Sequence, residues 1–258
     1  MSDIESGPVI PAATVVIFRK SAAGGPPEIL MVTRSRKLSF AGGMAVFPGG
    51  RVDDADTALG LRIAPDMDTD EAAARVAAMR ETLEETGLVI AVREPVSGSQ
   101  AAEARALLLD HVELAPVLER MGWTLDLEAL VPFARWLPHL HLERTFDTRF
   151  YLADLGTGAV DVEVDATENT RLFWSSAAET LAAAERGEVS VIYPTRRNLE
   201  RLALFDDFAA ARDHAAAHPV RTITPEIVEE DGGGRRLVIP EDSGYPVTSE
   251  SFTSVQRG

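Results

Sequence analysis

The sequence predicts an α/β fold, and three stretches carry that expectation. Residues 13–19 are apolar and β-branched (Val15, Val16, Ile17, Phe18), the composition of a strand. Residues 29–33 repeat that composition, and Gly24, Gly25, Pro26 and Pro27 lie between the two runs, so they read as a hairpin. Residues 70–86 carry a helical pattern, and Leu88 to Val92 follow at once as another strand candidate. At 258 residues, 45% of them hydrophobic, the chain can bury a sizeable core around these elements.

Before the first strand, residues 1–10 read as a loose tail. After the hairpin comes a basic cluster, Arg34, Arg36 and Lys37, within residues 34–40. An exposed loop is its plain reading. Its place, between a strand and the turn at Phe47, Pro48, Gly49 and Gly50, also suits a loop that grips an anion. A short apolar run, Met44 to Val46, leads into that turn, and paired glycines allow a tight bend and close backbone approach to an ion or phosphate. Residues 51–69, with Asp53, Asp54, Asp56, Pro65, Asp66 and Asp68, read as a polar loop. Asp68 and Glu71 then make a capping pair for the helix.

On that helix Glu81, Glu84 and Glu85 fall within about 100° of arc at the helical period. Val76, Met79, Leu83 and Thr86 lie opposite and can face a core. Arg80 sits one turn before Glu84, within reach of an i,i+4 ion pair. Gly87 ends the helix, because the left-handed residue after a helix is usually glycine. Three clustered carboxylates repel one another unless positive charge sits among them. Arg80 offsets one charge; a hard divalent cation with oxygen ligands, Mg²⁺ or Mn²⁺, offsets the rest. Taken alone, these three acids also suit a solvated helix face.

Together, Gly50 and the run from Arg80 to Leu88 resemble the Nudix hydrolase box, G-x5-E-x7-R-E-U-x-E-E-x-G-U with U aliphatic. The second half matches at every fixed position except Thr82, which stands where an aliphatic residue is usual. Arg80 comes 30 positions after Gly50 where the pattern has 14, so the box carries a 16-residue insertion. Counted from Gly50, the lone glutamate's place falls on Asp56; counted back from Arg80, it falls on Ala72, beside Glu71. Upstream, Met31 to Ser35 and Gly43 to Gly50 look like the signature of coenzyme A diphosphatases in that family, with Ser39 where an arginine is expected and Arg36 and Lys37 nearby.

The resemblance covers about residues 12–190. It implies a Nudix fold, a mixed β-sheet sandwiched between helices, with additional C-terminal helices. It also implies Mg²⁺ or Mn²⁺ held by Glu81, Glu84 and Glu85 with a carbonyl of Gly49 or Gly50. Arg80 would orient the glutamates, Glu85 or Glu168 would act as base, and Arg34, Arg36 or Lys37 would grip the substrate. The implied reaction cleaves the diphosphate of a small nucleoside diphosphate compound. Coenzyme A or an acyl derivative, split into 4′-phosphopantetheine and 3′,5′-ADP, is the foremost substrate; ADP-ribose or a related compound is the rival. A non-catalytic nucleotide-binding module is the rival of another class, and the intact set Arg80, Glu81, Glu84 and Glu85 argues against it.

Downstream, residues 101–109 and 113–121 read as helices interrupted near Pro116, and Pro132 to Trp136 as a strand. His139 and His141 are too few for a zinc site, which needs three or four protein ligands. Residues 144–153 alternate as a strand. There Arg144 and Arg149 suit phosphate binding, while pairing of Arg149 with Asp147 or another carboxylate is equally open. Residues 156–169 read as an acidic loop with Glu163, Asp165 and Glu168, and Arg171 to Trp174 as a strand. A family glutamate before such a Trp-bearing strand completes the metal site or serves as base; Glu168 takes that place, with Glu163 and Asp165 as rivals and a merely solvated loop as the alternative. Ser176 and Glu179 form a capping box. Helices follow over residues 195–205 and 207–218, then a hairpin over 222–240. From Glu241 the chain reads as a polar, flexible tail unless it docks. One domain is expected over 1–258, with a core at about 12–190, an extension at about 191–240 and the tail at 241–258.

Composition excludes other classes. A net charge of −16 disfavours nucleic acid, whose phosphates need a basic surface. The absence of cysteine excludes disulfides, thiolate catalysis and Cys-based zinc sites. No apolar run reaches the ~18 residues of a membrane span, and residues 1–6 lack a signal-peptide pattern. A cytoplasmic protein without membrane partners is expected, with a homodimer left open.

Overall fold

The computed structural model describes residues 8–34, 41–111, 113–138, 145–155, 169–230 and 233–252. Strand β1 (Val9–Arg19) is the axis of the main sheet. It runs parallel to β6 (Thr145–Asp154) over ten residue pairs, from Val9 opposite Thr145 to Phe18 opposite Asp154. β5 (Val131–Trp136) continues the sheet antiparallel to β6, and β8 (Thr222–Ile223) closes that side parallel to β5.

The other edge of β1 is shared. β2 (Glu28–Arg34) pairs with it only at Phe18 and Arg19, as the predicted hairpin requires, and then leaves to pair with β3 (Ala45–Val46) and β7 (Asn169–Ser175). β4 (Gly49–Arg51) takes the vacated edge at Ala12, Ala13 and Thr14. That fork places Gly49 and Gly50 beside the middle of the sheet.

Helices cover both faces, so β1 is apolar on both sides, as a doubly covered strand must be. Ala13, Val15 and Ile17 bury against α2 (Thr69–Thr86), α3 (Gly98–His111) and α4 (Leu114–Met121). Val16 and Phe18 bury on the other side, with α5 (Ala177–Glu185), α6 (Tyr193–Leu202) and α7 (Phe208–Ala217). Each fully buried Val, Ile or Phe contributes about 1.5–3 kcal/mol over leaving it exposed. The expected mixed sheet between helices is what the chain forms.

Two sequence expectations are corrected, and one alternative left open is decided. Residues 51–69 are not a loop: α1 (Asp54–Ile63) forms there. The Asp56 carboxylate accepts the Asp53 N–H at its start, 3.0 Å, and Leu59 is buried. Gly60 lets α1 lie close on the alanines of α2, since a Cβ there would come 3.0 Å from the Ala72 and Ala73 backbone. Leu88 to Val92 is not a strand; only Val92 bridges, to Leu125. Leu88 and Ile90 bury instead in the core beneath the helices, and Ala91 takes a left-handed φ of 54° that breaks an extended ladder. Residues 241–252 dock, the alternative that the sequence left open for the polar tail. Tyr245 is buried, accepts the Trp136 indole N–H at 3.1 Å and donates to Asn198 at 2.6 Å. β11 (Ser249–Ser251) adds to the hairpin of β9 (Glu226–Glu229) and β10 (Arg235–Val238).

Other details follow the sequence. Asp68 accepts the Glu71 N–H at the start of α2, and Gly87 ends it with φ 72°. Thr82 is tolerated at an apolar position because its hydroxyl donates to Ala78 O, 2.7 Å. Pro116 lies in the first turn of α4 and does not interrupt it.

Candidate active site

The site is built where the C-terminal half of α2 crosses β4. Neither glycine of β4 tolerates a side chain. A Cβ on Gly49 would lie 2.2 Å from Ala13 O, at φ +150°, and one on Gly50 would lie 2.3 Å from the Glu81 carboxylate. Glu81 therefore sits directly on the glycine backbone. Gly49 N–H donates to Glu85 Oε2 at 3.0 Å, which ties the helix to the loop.

Arg80 is the fixed cation among the acids. Its side chain is 4% exposed and that of Asp56 is 2% exposed, so both charges are withdrawn from water and depend on each other. Arg80 Nε donates to Asp56 Oδ1 at 3.0 Å, and Nη2 donates to Asp56 Oδ2 at 3.0 Å and to Arg51 O at 2.9 Å. Glu81 lies 3.1 Å away, and Asp53 and Glu84 each 3.4 Å. Burial alone would lower the Arg80 pKa, but the Asp56 hydrogen bonds and the charges of Glu81, Asp56 and Asp53 outweigh it and raise it. The predicted Arg80–Glu84 pair is present, but Asp56 holds the guanidinium from closer, with two oxygens. Of the two positions counted, Asp56 is the one that meets Arg80, and α1 lies in the segment between Gly50 and α2.

Glu81 is the poorly compensated acid. Burial first, then the charges of Glu85 and Glu84, push its pKa up to about 8 against the pull of Arg80. Among the described residues no three acidic or histidine side chains are already arranged to hold a metal ion. Glu85 is turned onto Gly49 and Glu84 onto Arg80. The donor set nonetheless fits a hard divalent cation: three carboxylates and a glycine backbone that Glu81 packs against without a side chain between. A pH prediction follows. Because the folded pKa of Glu81 lies above its ordinary 4.5, metal-free protein should be most stable near and below pH 4.5 with respect to this group, and lose that contribution as pH rises through about 8. Millimolar Mg²⁺ should therefore raise the Tm more at pH 8 than at pH 5, and Glu81→Gln should abolish the difference. Equal shifts at both pH values in wild type would contradict it.

The other sequence candidates divide. At the N-terminal end of α2, Arg149 Nε lies 3.4 Å from Glu71 Oε2, while Asp147 binds Arg135 with both oxygens at 2.8 and 2.6 Å. Arg34 ends β2, and its buried Nε has no hydrogen-bond partner among the described residues. Arg36, Lys37, His139, His141, Arg144, Glu163, Asp165 and Glu168 lie outside the described residues. Sequence reasoning missed Asp53 and the Arg51 carbonyl as parts of the site. The Asp53-x-x-Asp56 spacing was a helix-start signal that could have revealed α1.

Comparison with known proteins agrees with this geometry. The NUDIX domain pattern matches residues 9–146, more than half of the chain. The chain is 24% identical over 238 residues to putative nudix hydrolase 7 of Caenorhabditis elegans, covering 90% of this chain and 75% of that protein. It is 28% identical over 302 aligned positions to an acyl-coenzyme A diphosphatase of Gallus gallus, covering 94% and 79%. Among solved structures, a NUDIX hydrolase from Alicyclobacillus acidocaldarius superposes with a TM-score of 0.67 at 28% identity, covering 80% of this chain and 96% of that one.

Proposed function

The chain belongs to the Nudix family of hydrolases, and on that premise we propose that it cleaves the diphosphate of coenzyme A or an acyl derivative into 4′-phosphopantetheine and 3′,5′-ADP. The observation that carries diphosphate hydrolysis is the gathering of Glu81, Glu84 and Glu85 around Arg80 and the Gly49–Gly50 backbone. The substrate rests on similarity to an acyl-coenzyme A diphosphatase and on the basic cluster Arg34, Arg36 and Lys37.

Glu81, Glu84 and Glu85, with a carbonyl of Gly49 or Gly50, would hold Mg²⁺ or Mn²⁺. The bound ion supplies charge neutralisation at the phosphate oxygens and a lowered pKa for the attacking water. Water adds to one phosphorus, the bridging P–O bond breaks, and the water's proton passes to Glu85 or Glu168. Gly49 N–H holds one Glu85 oxygen in place, and Arg80 keeps the acids from turning away from one another. Among the described residues no helix is long and apolar enough to cross a membrane; action on a dissolved substrate in the cytoplasm is part of the proposal. We also take 1–258 as one domain, since the terminal segment packs on α6 and β5 through Tyr245.

Coenzyme A carries a 3′-phosphate that dephospho-coenzyme A lacks. Neutralising Arg36 and Lys37 together should raise KM for coenzyme A more than for dephospho-coenzyme A, by about 10-fold or more per charge-assisted hydrogen bond lost. Steady-state kinetics on both compounds and on ADP-ribose, with both products identified, checks it. Equal losses would assign the cluster to the diphosphate, and faster turnover of ADP-ribose than of either would remove the coenzyme A reading.

A further inference from the structure

Helix α2 is held at both ends, and only the C-terminal hold lies within the glutamate cluster. At its N-terminal end, Glu71 is clasped between two arginines. Arg75 Nε donates to Glu71 Oε1 at 2.9 Å, and Arg149 Nε lies 3.4 Å from Glu71 Oε2. Both arginine side chains are at most 10% exposed. Arg75 also donates to Leu127 O at 2.8 Å, which fixes the clasp to the segment before β5. The buried Tyr151 hydroxyl lies close by; burial, and then the Glu71 charge, raise its pKa and keep it protonated.

The sheet register ties this clasp to the glutamate cluster. Gly50 stands opposite Ala13, and Ala13 opposite Arg149, so the three form one row across β4, β1 and β6. Residues directly opposite on paired strands point to the same face. Gly50 meets Glu81 of α2, and Arg149 meets Glu71 of α2, from that single row. Two interstrand spacings, about 10 Å, separate Gly50 from Arg149. Ten helical residues, about 15 Å, separate Glu71 from Glu81. The long Arg149 side chain spans the difference.

We propose that Arg149 is a positioning residue. Through Glu71 it sets where α2 lies over the sheet, and so where Glu81 lies over Gly50. Of the two roles its sequence context leaves open, phosphate contact or carboxylate pairing, this assigns the second. A partly buried ion pair is a weak source of net stability, but it disfavours every alternative placement that would leave the buried Arg149 charge unpaired. The proposal rests on Glu81, Glu84 and Glu85 being the cation-holding set.

The test uses the full chain with Arg149→Met, Glu71→Gln, their double variant and Arg149→Lys. Mn²⁺ binding is read without substrate from the electron paramagnetic resonance of the free ion, and kcat and KM are measured separately. Arg149→Met and Glu71→Gln should each weaken Mn²⁺ binding and lower kcat by about 10-fold to 100-fold, the range for residues that support metal ligands. KM should stay within about twofold. The double variant should be no worse than either single one. Arg149→Lys, which keeps the charge and the fold, should recover part of both losses. Arg19→Met, which breaks the Arg19–Glu28 pair at the far end of β1, is the control and should lower Tm without touching Mn²⁺ affinity. A raised KM with kcat and Mn²⁺ binding intact would make Arg149 a substrate contact and overturn the proposal. Additive losses, a loss of Tm alone, or an equal loss of Mn²⁺ affinity in the control would overturn it as well. If Glu81→Gln changes neither Mn²⁺ binding nor turnover, the reading of the site itself fails; if Glu81→Gln abolishes both and the Arg149 variants change neither, only the positioning proposal fails.

Discussion

Glu84→Gln and Glu85→Gln are each expected to lower kcat by about 100-fold or more while the chain stays folded, on the scale of metal-assisted hydrolysis. Each substitution keeps the shape of the side chain and removes only its charge and its capacity to bind a cation through two anionic oxygens. Glu84 has a 36% exposed side chain and lies 3.4 Å from Arg80, so its loss should hardly affect stability. Glu85 is buried against the Gly49 N–H, and an amide oxygen still accepts that bond. A fall in turnover therefore reports chemistry and not unfolding. Glu81→Gln should separate the two further. It removes the buried charge whose desolvation, and then repulsion from Glu85 and Glu84, hold the Glu81 pKa near 8, so it should raise the metal-free Tm at pH 8 while still lowering turnover. Kinetics with Mg²⁺ and Mn²⁺, with circular dichroism on the same samples, decides the matter. Near wild-type turnover in a folded Glu84→Gln/Glu85→Gln double variant would remove the metal-site assignment.

How much of this was legible in the sequence depended on whether a signal was local. The α2 pattern is: its cap at Asp68, its stop at Gly87 and its acids at helical spacing can be read from a single stretch. β1 and β2 are equally local, because β-branched runs around a Gly-Pro turn need no partner to be recognised. α1 was not legible. Its aspartates look like loop residues until one knows that Asp56 turns inward to Arg80, 24 positions away, and that Gly60 meets the alanines of α2. Leu88 to Val92 failed for the opposite reason: the composition suits a strand, but Leu88 and Ile90 find burial beneath helices and the ladder is never needed. Docking of the terminal segment depends on Tyr245 meeting Trp136, a pairing of residues 109 positions apart that no window of sequence contains. The Arg149–Glu71 contact was foreseen only as one of two choices, because the sheet register that decides it is a property of the fold.

Removing Asp56 should have the largest effect on stability. In Asp56→Ala the Arg80 guanidinium keeps Arg51 O and the flanking acids but loses the carboxylate that matches two of its nitrogens. Breaking one side of a buried pair typically costs about 3–5 kcal/mol, because the remaining charge is left without compensation. At about 2–4 °C per kcal/mol for a chain of this size, Tm should fall by about 6–20 °C. The start of α1 weakens in the same variant, since Asp56 also accepts the Asp53 N–H. Arg80→Met should destabilise comparably by stranding the Asp56 carboxylate, and it should also raise the Glu81 pKa further by removing the charge that lowers it. The double variant Asp56→Leu/Arg80→Met then distinguishes stability from function. With both charges gone and the volume filled, thermal stability should return close to wild type. Turnover should not return, because Arg80 then no longer holds Glu81 and Glu84 in one orientation or offsets their charge before a cation binds. Thermal melts and kcat on the three variants, with and without Mg²⁺, test both halves. An Asp56→Ala protein melting within about 2 °C of wild type would show that the pair contributes little, and a double variant that regains turnover with its stability would show that Arg80 serves the fold alone.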